Sequence, residues 1–184
     1  GDAAYRMSDG RPHPQASTAV TRSRAVAASA VVLAAVVFYA PTVHDYFLQD
    51  DFGVVGLLSQ KPALFFPRWF VMPWTENIWG APADEIRPFP ALSYQIAAAF
   101  GPAAPEPNHV INIAMHAANG LLVLAIAQAA GGLGVAAATF AALVFIVLPI
   151  QAESVAWVTG RVDSLPALLY FASFLLFVRW RSTG

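Results

Sequence analysis

A short polar segment, flanked by two long apolar runs, carries three charged side chains. The segment extends from Pro149 to Asp163 and contains Glu153, Arg161 and Asp163. A carboxylate can bind a cation or accept a proton, and a planar guanidinium matches the oxygens of a phosphate. A structural alternative is an ion pair between Arg161 and one of the two acids. Because the segment is short, these side chains must lie close to one surface of the membrane that the apolar runs predict.

Two adjacent carboxylates, Asp50 and Asp51, follow the first apolar run. Adjacent side chains diverge in a helix and in a strand, so we expect the two to act on different atoms. One would serve as general base or metal ligand, and the other would orient its surroundings; the sequence does not choose between them. The alternative is a helix N-cap, because Asp51 precedes the apolar stretch from Phe52 to Leu58.

Arg87 is a second candidate for contact with an anion. Pro88 follows it, and a proline holds the preceding residue in an extended conformation. This conformation favours a guanidinium that points outward, where its fork of donors can meet a phosphate. The alternative is an ion pair with Asp84 or Glu85.

Several polar residues lie in or near the next apolar run. His109 lies at its outer rim, where we expect it to contact substrate. Asn112, His116 and Asn119 follow at helical spacing and share one face of the predicted helix. Amides and imidazoles inside a membrane helix often bind neighbouring helices, and this interpretation is favoured for Asn119 and His116.

The composition predicts an all-α integral membrane protein. Of 184 residues, 58% are hydrophobic and 11% are charged, whereas about a quarter are charged in soluble domains. Apolar runs predict four transmembrane helices, at about residues 25–43, 109–130, 134–150 and 164–179. The glycine-rich stretch 131–134 separates the middle pair. The chain has no cysteine, which excludes disulfides and thiolate sites.

The charges predict how these helices are oriented. Arginine marks the cytoplasmic side, and six arginines flank the outermost runs: Arg6, Arg11, Arg22, Arg24, Arg179 and Arg181. An even number of spans then places nine of the eleven acidic residues in two outer loops, 44–108 and 151–163. A cleaved signal peptide is the alternative for the first run, but bulky Phe38 and Tyr39 argue against a cleavage site.

The remaining organisation is simple. Residues 1–22 predict a disordered cytoplasmic tail, and residues 23–181 a membrane domain. The large first loop is rich in proline and contains Trp69, Trp74 and Trp79, which is typical of short helices lying in the lipid headgroup layer. The sequence shows no basic face for nucleic acid and no glycine-rich phosphate loop, so neither partner class is predicted.

In order and spacing, these residues resemble the N-terminal part of membrane glycosyltransferases of the GT-C superfamily. Within it, they are most similar to the transmembrane, tetratricopeptide-repeat O-mannosyltransferase-like group. The resemblance covers roughly Tyr46 to Trp180 and rests on four pieces: Asp50-Asp51, Arg87-Pro88, the run from His109 to Asn119, and above all Pro149 to Asp163. The chain departs from its relatives at Leu148, where they often have histidine.

The resemblance implies an inverting sugar transfer from a polyprenyl- or dolichyl-phosphate donor to a hydroxyl of a protein or glycan acceptor. Asp50 or Asp51 would take the proton of that hydroxyl. Arg87 and Arg161, together with His109, would contact the phosphate of the lipid, whose charge develops as it leaves.

The resemblance also implies a setting for this chemistry. Glu153 and Asp163 would shape the site or hold a divalent cation, for which Asp51 and Asp163 are the candidate ligands. We expect a bacterial inner membrane, with the site facing the periplasm or exterior. Whole members have more spans and usually a soluble repeat domain, so we expect this chain to be a fragment that is inactive alone.

Two other classes of function compete with this interpretation. One is a non-catalytic membrane scaffold whose outer loop binds a partner. The other is an ion pathway through Asn112, His116 and Asn119. An ion pathway predicts further charges along the spans, and the stretch from Val110 to Ile150 contains none.

Overall fold

The computed structural model describes residues 14–76, 78–80, 85–101 and 103–183. Across these ranges every regular element is a helix, as the sequence predicts. The α-helices are α1 (Pro14–Tyr39), α2 (Asp51–Leu58), α3 (Pro88–Ala98), α4 (Pro105–Ala129), α5 (Val135–Val147), α6 (Gln151–Ala156) and α7 (Arg161–Thr183). Two 3-10 helices, Ala40–His44 and Ala63–Phe70, lie in or next to the first outer loop. The all-α fold class is therefore confirmed.

Among the residues that the structure describes, three stretches are long and apolar enough to cross a membrane, namely Thr18–His44, Pro105–Ala129 and Arg161–Thr183. The fourth predicted span appears as α5, which has only 13 residues. At about 1.5 Å per residue it is about 20 Å long, less than the ~30 Å of a hydrocarbon core. Leu148 ends it in an extended conformation, as expected for a residue that precedes a proline. The described residues thus contain three candidate spans, and four spans remain a prediction.

Helix α1 starts earlier than the sequence predicts. It begins at Pro14, inside the segment to residue 22 for which the sequence predicts disorder. The helix continues through this polar part, and the Ser23 hydroxyl donates to the carbonyl of Val20 at 2.9 Å. Residues 1–13 of the predicted tail, including Arg6 and Arg11, lie outside the described residues.

Helix α4 is the central element of the membrane bundle and contacts α1, α5 and α7. Small residues allow this close approach. A β-carbon on Gly120 of α4 would lie 2.7 Å from Cδ1 of Ile146 and 2.9 Å from Cγ1 of Val31. Beyond the C-terminal end of α4, Gly132 adopts a φ of 62°, which is the left-handed conformation that glycine favours after a helix. The bundle therefore packs α4 closely against α1 and α5.

The predicted first outer loop, residues 44–108, has its own hydrophobic core. Its buried members are Phe47, Val54, Val55, Leu58, Trp69, Trp74, Ala91, Tyr94 and, from the second outer loop, Val158. Trp69 and Trp74 are 0% and 2% exposed, so both indoles belong to this core. Trp74 stacks on Tyr94, a contact between distant residues that composition does not reveal. Since Val158 joins this core, segments 44–108 and 151–163, which the sequence predicts to be the two outer loops, pack as one unit.

Candidate functional site

The turn between α6 and α7 lies against the first outer loop. Three side chains form the hydrogen bonds between them: Thr159 to Asp51, the Tyr94 hydroxyl to the carbonyl of Val158 at 3.1 Å, and Trp157 Nε1 to the carbonyl of Leu48 at 3.4 Å. The structure thus brings the segment from Pro149 to Asp163 against Asp51, and the two residues in contact, Thr159 and Asp51, are 108 residues apart in the chain.

Asp51 is buried and its carboxylate is fully engaged. Oδ1 accepts the backbone N–H of Thr159 at 2.8 Å and the Thr159 hydroxyl at 2.6 Å, and Oδ2 accepts the N–H of Leu48 at 3.0 Å. Only 1% of the residue is exposed. A carboxylate with three protein donors and no access to solvent is suited to holding structure in place.

Asp50 differs from its neighbour in every one of these respects. It is half-buried, and it precedes the first residue of α2 without a side-chain hydrogen bond to that helix. Its carboxylate makes no hydrogen bond or ion pair among the residues that the structure describes. Neither aspartate side chain therefore caps the N-terminus of α2, which is the alternative that the sequence offers. Asp50 is the carboxylate of the pair that is free to bind an incoming group.

Arg161, the first residue of α7, is completely buried. Its Nε donates to Oδ1 of Asn112 at 2.8 Å, Nη2 donates to the carbonyl and Oδ1 of Asn108 at 2.8 and 3.2 Å, and Nη1 donates to the Ser93 hydroxyl at 3.3 Å. The guanidinium also lies 4.3 Å from the ring centre of Tyr94, a cation–π contact. It therefore joins α3, α4 and α7.

The sequence predicts either a contact with phosphate or an ion pair for Arg161, and the contacts observed bear on both. Within the described part of the chain it makes no ion pair with Glu153, Asp163 or any other acid. Its charge is compensated by neutral oxygens and an aromatic face, which a buried cation requires in order to be tolerated. A phosphate would have to displace these partners to reach the guanidinium.

The side chain of Asn112, in α4, binds backbone carbonyl groups of the α6–α7 turn. Its Nδ2 lies 3.2, 3.0 and 3.3 Å from the carbonyl oxygens of Val155, Trp157 and Val158, while its Oδ1 accepts from Arg161. One amide thus satisfies backbone groups of the turn and the charge that follows it. Gly160 is needed in this turn, because a β-carbon there would collide with the carbonyl of Glu153.

The other polar residues on this face of α4 bind neighbouring helices. His116 Nε2 lies 3.1 Å from the carbonyl of Ile146 in α5, and Asn119 donates to the carbonyl of Ser164 in α7 at 2.9 Å. Both contacts match the helix-to-helix bonding that the sequence favours. Each residue serves a different neighbour, so the face is a set of structural contacts and gives no support to an ion pathway.

His109 is buried in the first turns of α4 and is 1% exposed. Neither ring nitrogen has a hydrogen bond of ordinary geometry from the described residues. Asp45, Asp51 and Arg161 are the charged groups close enough to act on the ring. The predicted contact with substrate is therefore not open in this conformation.

Arg87 is the accessible arginine of the site. About a third of its side chain is exposed (35%), and Nη2 lies 3.2 Å from Oε2 of Glu85, so the ion-pair alternative is realised. Asp84, the other partner that the sequence offers, lies outside the described residues. The guanidinium also lies 5.6 Å from the ring centre of Trp74. Because an exposed ion pair contributes little, about 0–1 kcal/mol, Arg87 can exchange Glu85 for another anion.

Glu153 and Asp163 are exposed acids in the first turns of α6 and α7. Neither forms an ion pair in the part of the chain that is described. Residues 14–76, 78–80, 85–101 and 103–183 contain no group of three His, Asp or Glu side chains placed to hold a metal ion. Asp51, a candidate ligand in the sequence, has both oxygens occupied by protein donors.

Tyr94 connects the parts of the site. It lies close enough to Asp51, Arg87 and Arg161 for the charges of all three to act on its phenol. Its burial raises the pKa of the phenol to about 12, so the hydroxyl remains protonated and donates to the carbonyl of Val158. The ring presents its face to Arg161.

Sequence reasoning missed four residues that this site uses, namely Ser93, Tyr94, Asn108 and Thr159. Three of them contact Arg161 and the fourth contacts Asp51. The available signal was weak: Asn108 directly precedes His109, and Thr159 lies two residues before Arg161. Their roles depend on contacts between segments that are far apart in the chain.

Comparison with known proteins shows distant similarity to two human proteins. Protein O-mannosyl-transferase TMTC1 is 27% identical over 165 residues, which is 86% of this chain and 18% of that protein. Protein O-mannosyl-transferase TMTC3 is 28% identical over 109 residues, which is 56% of this chain and 12% of that protein. No family model and no solved structure matches the chain. The resemblance predicted from the sequence is thus confirmed as weak homology, and the match spans less than a fifth of either relative.

Proposed function

We propose that this chain is the membrane-embedded N-terminal portion of a glycosyltransferase. The enzyme transfers a sugar from a polyprenyl- or dolichyl-phosphate donor to a hydroxyl of a protein or glycan acceptor. The observation that carries the proposal is an unpaired carboxylate, Asp50, on a turn that both outer loops hold in place. Support comes from the similarity to two proteins named as O-mannosyl-transferases.

The contacts favour Asp50 as the general base. A base needs a free lone pair within reach of the proton that it removes. The three hydrogen bonds that the described residues donate to the two carboxylates all go to Asp51, which leaves the Asp50 carboxylate available. Asp50 takes the proton of the acceptor hydroxyl while the oxygen of that hydroxyl forms a bond to the anomeric carbon of the sugar. The bond from that carbon to the phosphate oxygen breaks, and the lipid phosphate leaves with the electron pair.

Arg87 is the residue best suited to contact the donor phosphate. Its only anionic partner among the described residues is the exposed Glu85, which a phosphate with more charge and more acceptor oxygens can replace. Arg161 acts differently in this proposal, because its donors are used inside the protein. It holds the site together.

Glu153 and Asp163 complete the outer rim of the proposed site. Both are exposed and free of ion pairs among the described residues, so they can hold a divalent cation against the donor phosphate or contact the acceptor. We place this rim on the outer face of the membrane, as the distribution of arginines favours, and we propose that this membrane is a bacterial inner membrane.

Transfer from polyprenyl-phosphate mannose in membranes that contain the full-length natural protein tests the proposal. Asp50→Asn keeps the shape of the side chain and removes the base, so turnover should fall about 10²-fold or more. Arg87→Gln should raise the KM for the donor with a smaller change in kcat. Glu106→Gln, an exposed acid of α4 outside the site, should be without effect. Turnover by Asp50→Asn at the wild-type rate would end this proposal.

A partner-binding scaffold is the second candidate, and one feature of the first loop favours it. Phe66, Phe70 and Phe89 pack together at 5.2–6.0 Å between ring centres, and Phe70 and Phe89 are half-exposed. Exposed aromatic clusters often mark interaction surfaces. Phe70→Ser with Phe89→Ser should abolish co-purification of a partner if the scaffold is the function, while leaving sugar transfer untouched.

A further inference from the structure

The proposed base, Asp50, lies on a short turn that is closed by two hydrogen bonds between Leu48 and Asp51. The backbone N–H of Asp51 donates to the carbonyl of Leu48 at 2.9 Å. In the opposite direction, the N–H of Leu48 donates to Oδ2 of Asp51 at 3.0 Å. Asp50 is enclosed between these two bonds. The direction of its side chain therefore depends on whether Asp51 keeps its place.

This turn is strained, so something must hold it. Gln49 has a φ of 47°, in the left-handed region that residues other than glycine rarely adopt. Such a conformation persists only when its surroundings enforce it. The two hydrogen bonds within the turn are local, and both depend on Asp51. The support from outside the turn reaches Asp51 through its second oxygen.

Thr159 supplies that support with two donors directed at one atom. Its backbone N–H lies 2.8 Å from Oδ1 of Asp51 and its hydroxyl lies 2.6 Å from the same oxygen. Charge-assisted hydrogen bonds of this length are the strong ones. Thr159 is itself 5% exposed, so water does not compete for the carboxylate.

The segment that carries Thr159 is rigid. The two residues before it, Trp157 and Val158, have carbonyl groups that accept hydrogen bonds from the amide of Asn112. The carbonyl of Val158 also accepts one from the Tyr94 hydroxyl. The residue after it is Gly160, packed too closely for any β-carbon. Thr159 is therefore presented by a fixed scaffold from α3 and α4 and does not adapt to Asp51.

We infer that Thr159 is a positioning residue for the proposed reaction: by binding Asp51 it fixes the turn from which Asp50 meets the acceptor hydroxyl. The inference rests on the proposed function and goes beyond it, because Thr159 need not touch either substrate. It also explains why the site contains two adjacent acids. Asp50 reacts, and Asp51 connects it to the second outer loop.

Two substitutions at position 159 test the role in the full-length protein. Thr159→Val keeps the shape and the backbone N–H but removes the hydroxyl, and Thr159→Ser keeps both donors. A base that is displaced by a fraction of an ångström loses rate, so Thr159→Val should lower kcat about 10- to 100-fold. Its KM for polyprenyl-phosphate mannose should stay within about twofold, because binding of the donor is not affected. Thr159→Ser should restore kcat to within about threefold of the wild-type value.

Each other outcome overturns the inference. Wild-type kcat in Thr159→Val shows that the hydroxyl is not needed, and a raised KM with unchanged kcat shows that Thr159 contacts the donor. Equal losses in both variants point to the fold and not to the hydroxyl. Rates are compared per amount of protein that elutes as a folded species in detergent; if Thr159→Val is not recovered, Thr159→Ala carries the same expectations.

Asp50→Asn, measured in the same membranes, separates this inference from the proposed function. Inactive Asp50→Asn with fully active Thr159→Val leaves the base assignment standing and removes the positioning role. Active Asp50→Asn removes the proposed function itself, whatever Thr159 does.

Discussion

Nε of Arg161 lies 2.8 Å from Oδ1 of Asn112, and both residues are fully buried. The amide of Asn112 faces the other way with its Nδ2, which binds carbonyl oxygens of the α6–α7 turn. One asparagine thus links the charge of Arg161 to the backbone that precedes it. The pair fixes the start of α7 against the N-terminal third of α4, and the candidate site is built on this connection.

Replacing Arg161 by lysine should destabilise the protein. A lysine ammonium cannot reproduce the planar fork that reaches Asn112, Asn108 and Ser93 together. Because polar partners then remain buried and unsatisfied, we expect a loss of roughly 2–4 kcal/mol in the free energy of unfolding. Thermal unfolding of the detergent-purified protein measures it.

The matched control for Arg161→Lys is Arg87→Lys, which changes an exposed guanidinium and should leave the unfolding temperature nearly unchanged. If Arg161 instead bound the donor phosphate, as the resemblance implies, its lysine variant would keep its stability and lose affinity for the donor. That result would contradict a structural role for the buried guanidinium.

Gly160 offers a test of how tightly the α6–α7 turn is packed. A β-carbon at this position would meet the carbonyl of Glu153 and lie 2.9 Å from Cα of Ser154. Both are backbone atoms that cannot rotate away, so Gly160→Ala should cost about 1–3 kcal/mol of stability. Activity should fall as well, because Thr159 and Arg161 flank this residue.

Gly56, in α2, is the control for this substitution. A β-carbon there meets nothing within 4 Å, and alanine is favoured over glycine inside a helix by roughly 0.5–1 kcal/mol. Gly56→Ala should therefore leave stability unchanged or raise it. If Gly160→Ala also left stability unchanged or raised it, the turn would not be close-packed.

The helices of this chain could be predicted from its sequence because their signals are local. Apolar runs, a glycine-rich break and prolines at helix starts are each confined to a few residues, and α4 and α7 appear where the runs predict them. The length of α5 and the start of α1 at Pro14 could not be read in this way. The start of α1 lies in a polar flank that the apolar run does not reach, and α5 ends before Pro149 although the apolar run continues to Ile150.

The candidate site was only partly predictable, and Arg161 shows why. Its position near other charged residues was visible in the sequence, but a charged residue gives no sign that it will be buried. Its partners Asn108 and Ser93 come from two other helices, so burial follows from packing of distant segments. The same applies to Thr159, which has an ordinary type and reveals its role only through contact with Asp51.

Tyr94 predicts a change in stability at high pH. Burial raises the pKa of its phenol to about 12 in the folded protein, above about 10 in an unfolded chain. A raised pKa means that the neutral form is the one the fold favours. Its contribution is complete below pH 10 and is lost as the pH rises from about 10 to about 12.

Comparison with Tyr94→Phe isolates this effect. At pH 8 the wild-type protein should be the more stable by about 1 kcal/mol, because only it donates to the carbonyl of Val158. Towards pH 12 the order should reverse, since the phenylalanine variant has no proton to lose. Unfolding midpoints of the two proteins from pH 8 to 12 measure the crossing, and parallel curves would contradict a buried phenol.

A disulfide between the outer loops tests whether they meet on one side of the membrane. The side chains of Asp51 and Thr159 touch, and cysteines with β-carbons about 3.5–4.5 Å apart can form a disulfide. These 184 residues contribute no other thiol. Asp51→Cys with Thr159→Cys in the full-length protein should therefore form a bond on mild oxidation, read as loss of labelling by a maleimide polymer that returns on reduction. Asp51→Cys with Arg179→Cys, at the opposite end of α7, should not. Labelling of the first pair from opposite faces of the membrane would separate the two loops and remove the shared site.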